Sequence, residues 1–229
     1  MADGEMPPTK RVRFKPANRA HARDYSTRKV PHAEAAPFIV THHYAHGCAN
    51  TSTESFGLFK RDVMVGAALW MPPTRVAAES VDKDDWRRVV ALSRLAVAPS
   101  EPTNAESLFI GAMLRTLFAE RRWTMLLTYA DESQGHEGMI YKATNWRYLG
   151  RTAPEPRWLD ANGKQVSRLA TKTRKAGDMR ALGHRMVGKY RKHKFAMVTP
   201  IGVAQAIIRM GMAIQDRCRT DYPQSKENK

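Results

Sequence analysis

Residues 123–150, WTMLLTYADESQGHEGMIYKATNWRYLG, decide the fold of this chain. The stretch predicts a β-strand from Trp123 that ends at Asp131, followed by a polar turn with two glycines. A short helix carrying Tyr141 and a second strand from Arg147 come next. In an open α/β sheet, ligands bind beyond the carboxyl ends of the strands. A strand that delivers a carboxylate to that edge therefore indicates a functional site at Asp131.

The composition indicates one folded core. The chain has 229 residues, of which 42% are hydrophobic, and this is enough for a single domain with extended ends. Its two cysteines, Cys48 and Cys218, provide neither a disulfide framework nor a CxxC zinc pair, which favours a reducing compartment. No apolar run approaches the roughly 18 to 20 residues of a membrane helix, and no apolar signal core begins the chain. We therefore expect no membrane segment and a location in the cytoplasm.

The charge balance points to a polyanionic partner. The chain has 38 Lys and Arg against 22 Asp and Glu, which gives a formal net charge of +16, and nucleic acid is the commonest polyanion in the cytoplasm. The charge is clustered at residues 10–29 and 164–194, and the second cluster has eleven Lys or Arg and one acid. A solvated helix face would mix both signs. We therefore predict contacts with double-stranded DNA by Lys172, Arg174, Lys175, Lys189, Arg191, Lys192 and Lys194.

The chain before this stretch predicts a helix and a hairpin. Within residues 31–47 the apolar positions have helical spacing, which places His42, His43, Tyr44 and His46 in the last helical turn. Histidines there can stabilise the negative end of the helix dipole, or His42 and His46 can form a metal pair, although a third ligand is missing. A period of two then predicts a hairpin of strands 55–60 and 63–70.

Two residues on the next elements are candidate ligand groups. Arg94 lies in the middle of an apolar strand, residues 89–97, where an unpaired cation is costly, although an edge position would also explain it. A helix follows, for which Thr103 and Glu106 have capping-box spacing. Ser107 lies in its first turn and either contacts an anion or reinforces the cap.

A last amphipathic helix starts at Thr199 and Pro200. Its apolar face either packs on the domain or forms a homodimer contact, and consists of Val203, Ala206, Ile207, Met210 and Ile214.

The order of helix, hairpin, strand, helix, strand, short helix and strand predicts an α/β fold with a mixed central sheet flanked by helices. We expect a basic N-terminal arm over residues 1–29, a catalytic core over 30–160, and a basic DNA-contacting extension with the last helix over 161–229.

Several motifs resemble known families. The element order and IYKATNWRYLG resemble the GNAT acyltransferase superfamily and its closing Y-x-x-x-G-F/W segment. An ordered set of motifs is similar to the phage Mom family, and consists of HHY at 42–44, STESFGLF at 52–59, LSRLAVAP at 92–99, NAESLFI at 104–110 and SQGHEGMIYKATNWRYLG at 133–150. Proteins of that family convert adenine in phage DNA to a carbamoylmethyl derivative that protects it from restriction enzymes.

The resemblance implies a set of active-site residues. They are His43, Tyr44, Asp131 and Tyr141, with Arg94 and Ser107 as binding groups for the donor. Because the N6 lone pair of adenine is delocalised, either a base must remove a proton or the donor must be strongly activated. His43 or Asp131 would serve as the base, and a tyrosine as acid or hydrogen-bond donor. Alternatively, His43, Asp131 and a tyrosine oxygen could bind iron, as Fe²⁺ or Fe³⁺, since mixed N/O ligands suit it.

The donor of the transferred group is an unknown small molecule. GNAT acetyltransferases hold the CoA pyrophosphate on a glycine-rich loop before the long helix, whereas this chain has two prolines, an acid and no glycine at residues 99–105. Acyl-CoA is therefore a poor candidate for the donor.

Access to N6 requires that the base leave the duplex, and enzymes that flip bases stack them on aromatic side chains. Tyr129, Trp146 and Tyr148 are candidates, with core packing as the alternative, which we favour for Trp146. Two other functions would suit parts of the sequence: a non-catalytic basic DNA-binding protein, and an ordinary acyl-CoA N-acyltransferase acting on a protein or a small amine.

Overall fold

A seven-stranded mixed sheet lies at the centre of the molecule. The computed structural model describes residues 19–163, 165–166, 171 and 173–221, with backbone alone at 211 and 213–221. The strand order is β1-β2-β3-β4-β5-β9-β6, and β7 and β8 form a separate two-stranded sheet. The strands are β1 Ser26–Lys29, β2 Glu54–Lys60, β3 Val63–Met71, β4 Val89–Val97, β5 Met125–Asp131, β6 Arg147–Arg151, β7 Glu155–Leu159, β8 Arg185–Tyr190 and β9 Lys192–Val198.

Helices cover both faces of the central sheet. They are α1 His32–His42, α2 Arg75–Glu79, α3 Ala105–Ala119, α4 Met139–Lys142, α5 Ala176–Ala181 and α6 Pro200–Asp221. Buried residues of α1 and α2 pack with Leu69 and Leu127 on one face. Those of α3 and α4 pack with Trp70 and Leu126 on the other. The predicted α/β fold with a mixed sheet flanked by helices is confirmed.

The two parallel strands of the sheet separate toward their carboxyl ends. Pairing of β4 with β5 ends at Leu92 and Thr128, although the strands continue to Val97 and Asp131. The predicted hairpin and the predicted strand at 89–97 are also confirmed. Because the two strands diverge, Asp131 lies beyond the last parallel pair. It pairs with Lys192 of β9 on the other edge of β5.

Two predicted helix ends are wrong. Helix α1 ends at His42, and His43 follows with an extended backbone, so that His43, Tyr44 and His46 lie after the helix instead of in its last turn. Helix α3 has Asn104 and not Thr103 as its N-cap, with no side-chain capping bond. The Asn104 side chain is engaged elsewhere, because it accepts from the backbone N–H of Ala20 and donates to the Ala20 carbonyl.

The central sheet includes strands from both predicted extensions. Strand β1 comes from the predicted N-terminal arm and pairs with β2 at one edge. Strand β9 comes from the predicted basic extension and lies between β5 and β6. The predicted boundary at residue 160 therefore falls inside the folded unit, because the basic residues at the start of β9 lead directly into residues that complete the core, such as the fully buried Phe195.

The last helix contacts the domain through its polar side. Arg209 forms ion pairs with Asp82 and Asp84 at 3.5 and 3.0 Å, and Gly202 lies against the carbonyl of Thr124 too closely for a larger residue. The prediction that the apolar face packs on the domain is wrong for its described members, since Val203, Ile207 and Met210 are 48 to 59% exposed. The alternative, a homodimer contact, stays a prediction. Among the described residues, none of the helices combines the length and apolar character that a bilayer crossing requires.

Candidate active site

The carboxylate of Asp131 lies at the end of β5 among four donors. Its Oδ1 atom accepts from the backbone N–H and the hydroxyl of Ser133 at 3.0 and 2.5 Å. Its Oδ2 atom lies 3.4 Å from the hydroxyl of Tyr44 and 3.4 Å from Nη2 of Arg157. The Ser133 contacts fix the orientation of the carboxylate and leave Oδ2 to the two side-chain donors, Tyr44 and Arg157.

The segment after α1 brings His43 and Tyr44 to this carboxylate. The two rings lie 4.3 Å apart between centroids, and the Tyr44 ring meets His136 edge-on at 5.6 Å. The structure therefore brings together three of the four predicted active-site residues, His43, Tyr44 and Asp131.

His43 is a neutral hydrogen-bond donor in this arrangement. Burial and the nearby Arg94 guanidinium lower the pKa of His43 to about 4, so the imidazole carries no charge at neutral pH. Its Nδ1 atom accepts from the backbone N–H of Ala45 at 3.1 Å, which places the ring proton on Nε2. Of the two predicted bases, the geometry favours Asp131.

Tyr44 keeps its proton at neutral pH. Burial and the nearby Asp131 carboxylate raise the pKa of the phenol to about 12. The ring is 37% exposed, so that its hydroxyl is accessible to a bound ligand as well as to Asp131. Tyr44 is therefore placed to donate a hydrogen bond at the site.

Tyr141 lies apart from these three residues. Its buried ring packs on Trp146 and Phe195 at 5.8 and 5.4 Å between centroids, and burial raises the pKa of its hydroxyl to about 12. Gly138, which precedes α4 with a φ of 73°, admits the Phe195 ring where a Cβ would collide with it. The predicted role of Tyr141 stays a prediction.

The two predicted binding groups for the donor are engaged within the protein. Arg94 donates from Nε to the Gly47 carbonyl at 2.9 Å and from Nη1 to the Ser93 carbonyl at 2.7 Å. It thereby joins the segment after α1 to β4. Ser107 donates to the Asn104 carbonyl at 2.9 Å, which matches the cap-reinforcing alternative. Their roles in donor binding stay predictions.

The sequence did not identify Arg157, Gln134 and Tyr190 as site residues. The Arg157 side chain is 16% exposed, and its guanidinium lies 5.4 Å over the Tyr190 ring. With its amide oriented by the hydrogen-bond network, Gln134 accepts from both terminal nitrogens of Arg157, at 3.0 and 3.2 Å. The signal in the sequence that could have identified Arg157 is a cation within the short strand EPRWL, since a cation within a strand also identified Arg94 as a candidate.

Most of the predicted DNA contacts that the structure describes are accessible. Arg174, Lys175, Lys189 and Arg191 are exposed, and Lys192 is half-buried beside Asp131, its partner in the β5 and β9 register. Lys194 is engaged within the protein, since its Nζ atom donates to Ser80 at 2.5 Å. Lys172 lies outside the described residues.

The three predicted stacking aromatics are not equivalent. Trp146 is 5% exposed and stacks on Trp70 at 6.3 Å between centroids, as core packing predicts. Tyr129 packs against a buried cluster. Tyr148 is 45% exposed, although its ring also contacts His193 and Phe195.

The residues around Asp131 do not fit an iron ion as they are arranged. A metal on Nε2 of His43 would require the ring proton on Nδ1, where it would face the N–H of Ala45. Within the described part of the chain, no group of three or more His, Cys, Asp or Glu side chains is placed to hold a metal. Iron binding stays a prediction.

The start of α3, where GNAT enzymes hold the pyrophosphate, is covered by the chain itself. Asn104 is paired with the backbone of Ala20. The Glu101 carboxylate, 7% exposed, accepts from Tyr25 and Lys60 at 2.5 and 3.0 Å. A carboxylate and a covering segment at this point oppose the binding of a second anion.

A model of the Mom protein family matches residues 24–201 of this chain. The methylcarbamoylase Mom of Escherichia phage Mu is 25% identical over 154 residues, which are 65% of this chain and 62% of that protein. The chain thus spans less than two thirds of that curated relative.

The solved structures that resemble this one include acetyltransferases. The ribosomal-protein-S18-alanine N-acetyltransferase of Escherichia coli is 10% identical with a TM-score of 0.47, and the match covers 76% of this chain and 93% of that one. A GNAT family acetyltransferase of Elizabethkingia anophelis with acetyl-CoA bound is 11% identical with a TM-score of 0.43, over 76% of this chain and 98% of that one.

Proposed function

This chain belongs to the Mom protein family, and we propose that it is a transferase that modifies adenine in double-stranded DNA. The product is N6-carbamoylmethyladenine, which protects phage DNA from restriction enzymes in the cytoplasm of the host. The observation that carries the proposal is the contact between Tyr44 and Asp131 at 3.4 Å, next to the cationic side chains Arg157, Arg191 and Lys192. A carboxylate that a phenol contacts thus lies at a cavity whose lining has three cations and one further acid, Glu155.

Asp131 acts as the general base in this proposal. N6 of adenine forms the new bond to the methylene carbon of the carbamoylmethyl group, and the donor's leaving group departs with the electron pair of the bond that breaks. The N6 proton passes to Oδ2 of Asp131, the oxygen that Ser133 does not hold. A positioned base of this kind typically contributes about 10²- to 10⁴-fold to the rate.

Tyr44 and His43 support this step as donors. The Tyr44 hydroxyl orients Asp131 and, because its pKa is raised to about 12, it can also donate to the donor's carbonyl or leaving group. His43 is held neutral by its lowered pKa and packs on the Tyr44 ring. Burial of a neutral imidazole fixes the position of Tyr44 without placing a second positive charge beside Arg94.

The basic segment supplies the contact with DNA. Exposed side chains of Arg174, Lys175, Lys189 and Arg191 lie on the chain that carries β8 and leads into β9. Strand β9 pairs with β5 up to Asp131, which lies opposite Lys192. The cations that bind phosphates therefore immediately precede the strand that pairs with the catalytic residue. Phosphate contacts of this kind position the duplex and do not read its sequence.

The donor is a small molecule other than acyl-CoA. Two features support this proposal: the glycine-free segment before α3 and the pairing of Asn104 with Ala20 at its start. Calorimetric titration of the protein with acetyl-CoA should show no binding. Saturable binding of acetyl-CoA would instead support an ordinary acyl-CoA N-acyltransferase.

Product analysis tests the proposed reaction. The protein is expressed with a plasmid, the plasmid is digested to nucleosides, and mass spectrometry detects the heavier adenosine. The wild type should give the product, and Asp131→Asn should give less than about one hundredth of it. Asp62→Asn, the same change in the exposed turn between β2 and β3, is the control and should give the wild-type amount. Unmodified DNA from cells that contain folded wild-type protein would support the non-catalytic DNA-binding protein.

A further inference from the structure

A cavity opens between the carboxyl end of β5 and the two-stranded sheet of β7 and β8. Its volume is about 250 Å³, and the residues that line it include Asp131, Arg157, Gln165, Tyr190, Arg191 and Lys192. Two of these residues, Arg157 and Tyr190, come from the two-stranded sheet, and Glu155 and Pro156 of β7 also line the cavity. The small sheet therefore forms the wall that faces the catalytic carboxylate.

We propose that this cavity receives the target adenine after it leaves the duplex, and that Arg157 and Tyr190 form the platform on which the base stacks. The inference rests on the proposed function, which it extends by assigning the residues that bind the substrate base. Enzymes that modify a base within a duplex rotate it into a pocket and hold it by stacking and by hydrogen bonds to its edge.

The platform consists of two flat groups in fixed positions. The Arg157 guanidinium lies 5.4 Å from the centroid of the Tyr190 ring and is anchored by Asp131 on one side and by Gln134 on the other. Guanidinium and aromatic planes are the two side-chain surfaces that stack on nucleobases. A preset platform lowers the entropy cost of base binding.

Gly188 leaves room for the Tyr190 ring beside the backbone of β8. A Cβ at this position would lie 2.9 to 3.0 Å from the ring edge and the hydroxyl of Tyr190, and the residue has a φ of 154°. Glycine therefore allows the ring to lie against the backbone of its own strand. The Tyr190 hydroxyl is directed to the Val187 carbonyl at 3.4 Å, which leaves the ring, and not the hydroxyl, as the feature available to a ligand.

The size of the cavity suits one base. A cavity of about 250 Å³ has room for a flat group of the size of a single purine.

The polar groups of the cavity suit the edge of adenine. Asp131 presents an acceptor to the exocyclic amine, which is the group that loses its proton in the proposed reaction. Gln165 supplies a side-chain amide, which can donate and accept at once, as adenine recognition requires. Arg191 and Lys192 lie at the same cavity and suit the phosphates on either side of a rotated nucleotide.

Paired substitutions at Tyr190 and Arg157 test the inference. The initial rate of modified-adenosine formation on the co-expressed plasmid is measured for Tyr190→Leu and Tyr190→Phe. Leucine keeps the apolar volume without a flat ring, so we expect a rate about 5- to 150-fold lower. Phenylalanine should keep at least half of the wild-type rate. Arg157→Lys, which keeps the charge and removes the plane, should lose at least about tenfold, whereas Arg115→Lys on the exposed side of α3 should have no effect.

Duplex affinity and thermal melting are measured on the same purified variants. Affinity for duplex DNA should stay within about threefold of wild type, because the platform contacts the base only after it leaves the stack. This result separates a role in base binding from a loss of DNA contact or of folding. If Tyr190→Leu does not fold, the rate of Tyr190→Met, which also lacks a flat ring, decides the question.

The outcomes separate the inference from the proposed function. If the wild type modifies adenine and Tyr190→Leu and Arg157→Lys both do so at the wild-type rate, the stacking platform is wrong and the proposed function stands. The same holds if Tyr190→Phe loses as much as Tyr190→Leu, because the hydroxyl would then be the required group. If the wild type forms no modified adenosine, the proposed function itself fails.

Discussion

The hydroxyl of Tyr44 lies 3.4 Å from Oδ2 of Asp131, although 87 positions separate the two residues in the chain. The segment after α1 supplies Tyr44, and the end of β5 supplies Asp131. Arg157, from the second sheet, reaches the same oxygen at 3.4 Å. The site thus depends on three segments that meet only in the folded protein.

Removal of the Tyr44 hydroxyl should reduce activity without loss of stability. We expect Tyr44→Phe to lower the rate of adenine modification about ten- to hundredfold, because the carboxylate loses a donor. Since Tyr44 is 37% exposed, the free energy of unfolding should change by less than about 1 kcal/mol. Nucleoside mass spectrometry and urea unfolding measure the two quantities.

Tyr25→Phe is the matched control for this change. Its hydroxyl donates to the buried carboxylate of Glu101, so its removal should cost about 1 to 3 kcal/mol of stability and leave the rate per folded molecule unchanged. Wild-type activity in Tyr44→Phe would contradict the assigned role of Tyr44.

The lowered pKa of His43 predicts a loss of stability in acid. The folded-state pKa is about 4, below the value of about 6.5 in an unfolded chain. Between these values the unfolded chain binds a proton that the folded protein does not, so the free energy of unfolding falls as the pH falls. The contribution is about 2 kcal/mol between pH 7 and pH 5.

His43→Asn should remove this contribution while keeping an acceptor for the N–H of Ala45. The measurement is the difference in unfolding free energy between pH 7 and pH 5 for wild type and variant. The variant should lose about 2 kcal/mol less than wild type, and an equal loss in both proteins would show that His43 is not responsible.

The cations near the cavity should control the salt dependence of DNA binding. We expect the combined change Lys189→Glu, Arg191→Glu and Lys192→Glu to weaken duplex binding at low salt. Each lost phosphate contact should reduce the slope of log K against log salt by about 0.9. The control is a triple variant with the same change of net charge at exposed positions on other elements: Arg61→Glu, Lys83→Glu and Arg115→Glu. This control should have a smaller effect on duplex binding. Equal effects of the two sets would favour a purely global charge effect.

Iron binding is a prediction of the sequence that the ring orientation of His43 opposes. Because Nδ1 accepts from Ala45 at 3.1 Å, anaerobic titration with Fe²⁺ should show no stoichiometric binding by calorimetry. His43→Asn should behave as the wild type does. Tight binding to wild type that His43→Asn abolishes would show that the ring turns to hold the metal.

The sequence predicted the central part of the fold because its signals there are local. The strand before Asp131, the helix with Tyr141 and the strand from Arg147 are all present. The approach of His43 and Tyr44 to Asp131 was also predicted, through family resemblance. The helix end at His42 was predicted too late in the chain because Gly47 suits the position just past a helix C-terminus, whereas the backbone is already extended at His43.

Other features depend on contacts that local patterns do not contain. Arg157 and Tyr190 lie on different strands of a small sheet, and only folding brings them to Asp131. Asn104 was not recognised as the N-cap because its side chain bonds to a segment 84 positions away. Strand β9 was interpreted as part of a surface segment because Lys192, His193 and Lys194 precede its apolar residues.

The position of β9 has a consequence for synthesis on the ribosome. Strands β5 and β6 are complete by residue 151. Strand β9, which lies between them in the sheet, is complete only when residue 198 has been made. Until then the nascent chain exposes two open sheet edges, which are sites of aggregation. A protein truncated after residue 160 would retain these edges permanently. We therefore expect it to be insoluble, instead of a folded enzyme that merely lacks affinity for DNA.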